Sequence, residues 1–308
     1  MRKWIFALAV LAVAGLGGFW FLTQPRLTIA KMDTSLEKGG DVERGKAVFF
    51  AGGCASCHAT SGQEDPLKLG GGHAFPSPFG TFYAPNISPH REDGIGKWTT
   101  ADLVNALKAG VAPDGSHYYP AFPYTTYAKM TNADARDLMA FLRTLPAVEK
   151  KSKLHDLPFP FNIRRGLGLW KLVNFETSPL PKDSSKSDAW NRGNYLVNAL
   201  GHCAECHSTR NFMGAIVEKY RFAGGADPHG KGWVPNMTQA AKGLKDWSVG
   251  DIVVLLETGL TPSVDAVGST MADVIKNTSK LSGEDRKAMA EYIKSIPARE
   301  GPARPESK

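Results

Sequence analysis

The chain has 308 residues, 42 % apolar and 22 % charged, and its 32 Gly and 20 Pro mark long loops. This composition excludes a disordered polar chain, and the length allows two compact domains. The net charge is +7, but Lys and Arg are scattered rather than clustered, so nucleic acid is not an expected partner.

The first element is apolar. Arg2 and Lys3 precede nineteen uncharged residues, Trp4 to Leu22. A membrane-spanning helix needs about 20 mostly apolar residues. A secretory signal has a shorter apolar core with a small-residue cleavage site behind it. Here Ala12-x-Ala14 lies inside the run, and Phe19 to Leu22 close it with large side chains. Residues 1–25 are therefore read as an uncleaved membrane anchor in preference to a signal peptide. Positive charge ahead of the span places the N-terminus in the cytoplasm and the rest of the chain outside it.

Next, ERGKAVFFAGG (43–53) predicts a helix that leads into GGCASCHAT (52–60). After a long Gly/Pro loop comes WTTADLVNALKAG (98–110). Thr behind the Trp, Asp three residues on and a final Gly predict an N-capped helix with a glycine stop. ADARDLMAFLRTLP (133–146) predicts a closing helix.

The same series then recurs, as NRGNYLVNALGH (191–202), GHCAECHSTRN (201–211), WSVGDIVVLLETG (247–259) and GEDRKAMAEYIKSIP (283–297). Cys54 and Cys203 are 149 residues apart, as are Trp98 and Trp247, and Gly110 and Gly259. Asn86 and Asn236, within NIS and NMT, are 150 apart, and Pro146 and Pro297 are 151 apart. A self-similarity of this period predicts two copies of one unit. The expected boundaries are 1–25 for the anchor, 38–148 and 187–298 for the units, 149–186 for a linker and 299–308 for a polar tail. Within the linker, FPFNIRRGLGLWKLVNF (159–175) is apolar and basic together. It suits packing between the units, which is expected first, or a membrane surface. Trp98 and Trp247 read as core aromatics at helix starts.

All four cysteines sit in the two Cys-x-x-Cys-His motifs. A redox dithiol leaves each following His unexplained. A zinc site would have to pool cysteines from both copies or use only three ligands from one. Haem attachment accounts for every member: two thiols add to the vinyl groups of one haem, and the next residue supplies an axial imidazole. Cys54, Cys57, Cys203 and Cys206 are then thioether anchors, and His58 and His207 are the proximal ligands. His73, His90, His155, His202 and His229 have no comparable spacing.

With APNISPHREDGIGKW (84–98), GSHYYPAFPYTTYAKMTNAD (115–134), FPFNIR (159–164) and CAECHSTRN (203–211) added, the sequence resembles the di-haem, class I-like cytochrome c family. It is most similar there to the membrane-anchored cytochrome subunits of bacterial periplasmic dehydrogenases for alcohols, aldehydes and similar substrates. The resemblance implies a mostly α fold of two tandem cytochrome c domains behind one N-terminal transmembrane helix. It implies two covalent haems c and electron transfer rather than catalysis. The implied donor is a periplasmic dehydrogenase subunit or quinol, and the implied acceptor a terminal oxidase, a quinone or a soluble cytochrome. The implied location is the bacterial inner membrane with the haem domains facing the periplasm. Related alcohol dehydrogenase cytochromes carry three haems, whereas this chain has motifs for two.

Methionine is the usual second axial ligand. Met139 and Met289 lie at matching places in the closing helices and suit core packing, and Met213 and Met237 lie too close to the second motif and its loop. Met271, expected in a loop before the last helix, lies where the family carries its ligand. In the first unit the corresponding place falls in YYPAFPY (118–124), which holds Phe122. Met130 is then the expected ligand, with its packing at a helix start, His117 as a rival ligand, and an open position as the alternatives. An open position would suit a di-haem enzyme, peroxidase-like or thiosulfate-oxidising. The resemblance also suggests Asn86 and Asn236 as hydrogen-bond donors to haem propionates, with turn-forming Asn as the alternative. Arg210 has the geometry to pair with a propionate, with a surface role as the alternative.

Overall fold

The computed structural model describes residues 1–228 and 232–304; His229 lies outside them. The N-terminal run forms one helix, α1 (Arg2–Leu22), with no residue buried. It is long and apolar enough to cross a membrane.

The first unit begins with α2 (Val42–Ala51), capped by the Asp41 carboxylate, which accepts from the Arg44 N–H at 2.9 Å. A one-turn helix, α3 (Cys54–His58), carries the first motif. A short antiparallel hairpin follows, β1 (Ala74–Ser77) and β2 (Gly80–Tyr83). The predicted capped helix is α4 (Thr100–Ala109): Thr99 and Asp102 close a reciprocal capping box, and Gly110 ends the helix at φ 59°. One turn, α5 (Tyr124–Tyr127), leads into the closing helix α6 (Asn132–Leu142).

Helices α2 and α6 cross at Gly45. A Cβ on this residue would lie 1.9 Å from the Asp137 carbonyl oxygen, so only glycine lets the two backbones meet. One turn on, the Phe49 and Phe141 rings meet at a tilt of 59° with centroids 5.2 Å apart inside the core. Met139 and Met289 are both core residues, and Trp98 and Trp247 pack against the core from its edge.

The second unit repeats the plan. Helix α8 (Asp188–Tyr195) crosses α12 (Gly283–Ser295) at Gly193, where a Cβ would lie 1.9 Å from the Ala288 carbonyl oxygen. The second motif lies on α9 (Cys203–Cys206). Strands β3 (Gly225–Ala226) and β4 (Trp233–Val234) replace the first hairpin. Helix α10 (Val249–Thr258) has the same capping box, from Ser248 and Asp251, and ends at Gly259 with φ 78°. Helix α11 (Thr270–Thr278) occupies the stretch expected to be a loop, so Met271 sits in a helical first turn.

The copies differ by one residue on the way into the motif. Arg44 and Arg192 are 148 apart, whereas Cys54 and Cys203 are 149 apart. The extra residue is absorbed by a π-helical turn over Leu196–Leu200. There Gly201 N–H donates to the Leu196 carbonyl at 2.6 Å, five residues back. Its counterpart Gly52 donates to Val48 at 2.8 Å, four residues back.

Between the units, α7 (Leu167–Asn174) lies across both. The Lys171 ammonium donates to the Ala109 and Gly110 carbonyls at the end of α4, each at 2.7 Å. The Trp170 indole N–H donates to the Met213 carbonyl at 2.9 Å. The expected packing between the units therefore holds for one face of this segment. Its other face is exposed.

Candidate functional site

Each motif is entered through a left-handed residue. In the first unit this is Gly53 at φ 62°, and in the second it is His202 at φ 41°. A side chain in that conformation costs about 1 kcal/mol, and His202 offsets it with two contacts. Its Nε2 lies 3.2 Å from the Gly52 carbonyl of the other motif, and its ring meets Tyr127 edge-on at 5.8 Å. Tyr127 O–H also donates to the Gly52 carbonyl, at 2.8 Å. The two motif entrances thus touch.

Positions three and four apart on a helix share a face; α3 holds Cys54, Cys57 and His58, whereas α9 holds Cys203 and Cys206 with His207 as its C-cap. The four cysteines are unpaired and partly exposed. Burial pushes the thiols of Cys54 and Cys203 up to about 12, and those of Cys57 and Cys206 up to about 11. The histidines are set alike. His58 Nδ1 donates to the Pro85 carbonyl and His207 Nδ1 to the Pro235 carbonyl, both at 2.8 Å. A carbonyl can only accept, so Nδ1 carries the proton and Nε2 is left with its lone pair. Burial also lowers the pKa of both rings, which keeps them neutral as a metal ligand must be. Among the described residues no group of three or more His, Cys, Asp or Glu is placed to hold a metal ion. Two unpaired thiols and one oriented imidazole fit the covalent attachment and axial ligation of a haem c.

The motifs also hold each other. Glu205, the second spacer residue of the second motif, accepts from the hydroxyls of Thr125 and Thr126 in the first unit, at 2.8 and 2.7 Å. Ser56 is its counterpart in the first motif, 149 residues earlier. It donates to the Asp273 carbonyl at 3.3 Å and accepts from the Asn277 amide at 2.8 Å, both in the second unit. Glu205 is buried, and burial alone would raise its pKa. The Arg210 guanidinium at 2.7 Å and the two threonine hydroxyls outweigh burial and hold the carboxyl below its usual range. None of these partners is visible in the motif spacing. Thr126 and Asn277 do share the 151-residue offset of the closing prolines, and that was the available signal.

The other sequence-predicted residues are placed as follows. Met271 lies in the first turn of α11, the helix whose Asp273 and Asn277 grip the first motif. Met130 is 1 % exposed and stands just ahead of the Thr131 cap of α6, as Leu281 stands ahead of the Ser282 cap of α12. The Lys108 ammonium fixes its backbone carbonyl. His117 Nε2 lies 2.9 Å from the Thr23 carbonyl at the end of α1, and its Nδ1 is buried with no hydrogen-bond partner among the described residues.

Both Asn86 amide protons go to backbone, to Val148 at 2.7 Å and Lys150 at 3.0 Å, and its carbonyl accepts from Ser88 N–H at 2.9 Å. With these bonds Asn86 staples its loop to the chain leaving α6. Asn236 does the same work after α12, donating to the Arg299 carbonyl at 2.8 Å and accepting from Thr238. Arg210 binds Glu205 and the Gly214 carbonyl, while its Nε–H is buried without a partner among the described residues.

The cytochrome c family profile matches residues 42–146, the first unit. A di-haem c-type cytochrome of Cereibacter sphaeroides is 47 % identical over 303 residues, covering 97 % of this chain and 99 % of that protein. The fructose dehydrogenase cytochrome subunit of Gluconobacter japonicus is 39 % identical over 262 residues, 84 % of this chain and 53 % of its own. The cytochrome c subunit of the quinone alcohol dehydrogenase of Gluconobacter oxydans is 37 % identical over 268 residues, 83 % of this chain and 55 % of its own. The chain thus spans nearly all of the first relative and about half the length of the other two.

Proposed function

The chain belongs to the cytochrome c family in its di-haem form, and from that premise we propose that it is the membrane-anchored electron relay of a periplasmic dehydrogenase. In this reading it accepts electrons from the dehydrogenase subunit or from quinol and passes them to an oxidase, a quinone or a soluble cytochrome. The observation that carries the relay is the direct contact of the two motif entrances, with Ser56 and Glu205 each bound by the opposite unit.

Two covalently bound haems c supply the reversible one-electron chemistry of iron. The residues supply placement. Cys54, Cys57, Cys203 and Cys206 hold the two groups, and His58 and His207 present bare Nε2 atoms fixed by the Pro85 and Pro235 carbonyls. Met130 and Met271 would supply the second side-chain ligand of each iron when the haems are bound. The burial of Met130 and the pinning of its backbone by Lys108 support a preorganised sulfur. The orphan Nε–H of Arg210 supports a propionate contact at the second site.

Residues Arg2 and Lys3 ahead of α1 support a cytoplasmic N-terminus and periplasmic haem units. The relatives named for fructose and alcohol dehydrogenases support a dehydrogenase as the donor. Gentle detergent extraction from native membranes, followed by mass spectrometry, tests the reading. A large dehydrogenase subunit in stoichiometric amount is the expected companion and would name the substrate class. Recovery alone, or with an oxidase only, would remove the subunit assignment and leave a free-standing relay.

A further inference from the structure

Helix α1 does not leave the folded units on a loose string. Thr23, the residue directly after it, is fully buried. Arg165 donates to the Trp20 carbonyl at 2.7 Å and to the Thr23 hydroxyl at 2.8 Å, and its guanidinium lies 4.0 Å from the centre of the Trp20 ring. A cation over the last carbonyls of a helix is favourably placed against its dipole. His117 holds the Thr23 carbonyl from the other side. Gly168 lets α7 press against this point, for a Cβ there would lie 2.5 Å from the Thr23 Cα.

The segment that forms this collar has an inverted pattern. On α7 the charged residue, Lys171, faces inward to the end of α4. Leu169, Leu172 and Val173, at helical spacing on the other face, are exposed, Val173 by 75 %. Before the helix, Phe159, Phe161 and Ile163 are exposed as well, Phe159 by 77 %. A helix face of Leu and Val with the lysine turned away suits an apolar medium, and Arg164 and Arg165 flank it. The residue before this face, Gly168, is the one that meets Thr23 at the end of α1.

We propose that residues 159–175 form a second membrane contact, with α7 lying in the bilayer interface at the foot of α1. Leu169, Leu172 and Val173 enter the boundary between headgroups and acyl chains, and Arg164 lies among anionic headgroups. The first haem unit is thereby held in one orientation over the lipid. This inference rests on the reading of α1 as a membrane anchor.

The test is photo-cross-linking of the full haem-loaded chain in nanodiscs of phosphatidylcholine and phosphatidylglycerol carrying a diazirine lipid, with labelled peptides mapped by mass spectrometry. Label on both 4–22 and 159–175 is expected. Label confined to 4–22 overturns the second contact while keeping the anchor, and leaves a protein partner as the occupant of that face. Label on neither segment overturns both. A chain with Leu172→Asp and Val173→Asp should lose label on 159–175 by about fivefold, with α1 labelling and the haem spectrum unchanged. Undiminished label in that variant overturns the assignment of these side chains, and a disturbed haem spectrum returns the decision to the wild-type map.

Discussion

Glu205 is ionised inside the protein because three partners from two parts of the chain meet it. Glu205→Ala strands the Arg210 charge and frees two threonine hydroxyls. The expected cost is about 3 kcal/mol, read as a fall in the denaturant midpoint followed at the Soret band. Ser56→Ala, its neutral counterpart, should cost about 1 kcal/mol. Asp137 makes a pH-dependent case. Burial would raise its carboxyl, but Arg44 at 2.8 Å, the Asp41 N–H at 3.0 Å and Arg136 at 3.0 Å outweigh burial and hold it low. A folded pKa below the unfolded value of about 3.9 gives stability that is full near neutral pH and is lost as pH falls through the folded value. Asp137→Asn should therefore lower stability by about 2 kcal/mol at pH 7, and the gap to wild type should close toward pH 3 in thermal unfolding. Met130→Leu and Met271→Leu should each remove one share of the red-region sulfur-to-iron band and lower one midpoint potential. A full band in either variant would strike that ligand. At this scale the two groupings of two thiols and an imidazole were legible, because attachment chemistry dictates such a spacing. His202 and Glu205 were not, because their partners lie far along the chain and no local period encodes them.

At the scale of elements, both capped helices and their glycine stops were legible, since Thr99/Asp102 and Ser248/Asp251 are local signals. The crossing points were half legible. Arg-Gly stands in both copies, but only the backbone approach of 1.9 Å explains why Gly45 and Gly193 are glycine. Gly45→Ala should cost about 3 kcal/mol by forcing α2 off α6, seen as a lower thermal midpoint. Gly15→Ala, with nothing within 4 Å, should leave that midpoint in place. The change of offset from 148 to 149 was written in the sequence, although only hydrogen-bond geometry turns it into a π-helical turn. Helix α11 was read as a loop because Gly268 and Ser269 before it mask its start. The exposed apolar face of α7 was a matter of composition alone until Lys171 was seen to turn inward.

For the whole molecule, the mostly α tandem architecture followed from the repeat, and the way the copies meet did not. Because each motif is gripped by the other unit, the two should unfold together. Melting followed at the two haem signals separately should give one midpoint, and Asn277→Ala should lower it at both. Two midpoints would mean that the cross-contacts contribute little. The buried root of α1 sets a mechanical condition on all of this. A carrier on a slack tether can swing between donor and acceptor and trade reach for precision. Arg165, His117 and Gly168 hold the end of α1 against the folded chain, so with α1 as the proposed anchor the haem units would keep one height and one heading above the lipid. On that proposal electrons would enter and leave through fixed faces, and any mobile carrier would have to come to them.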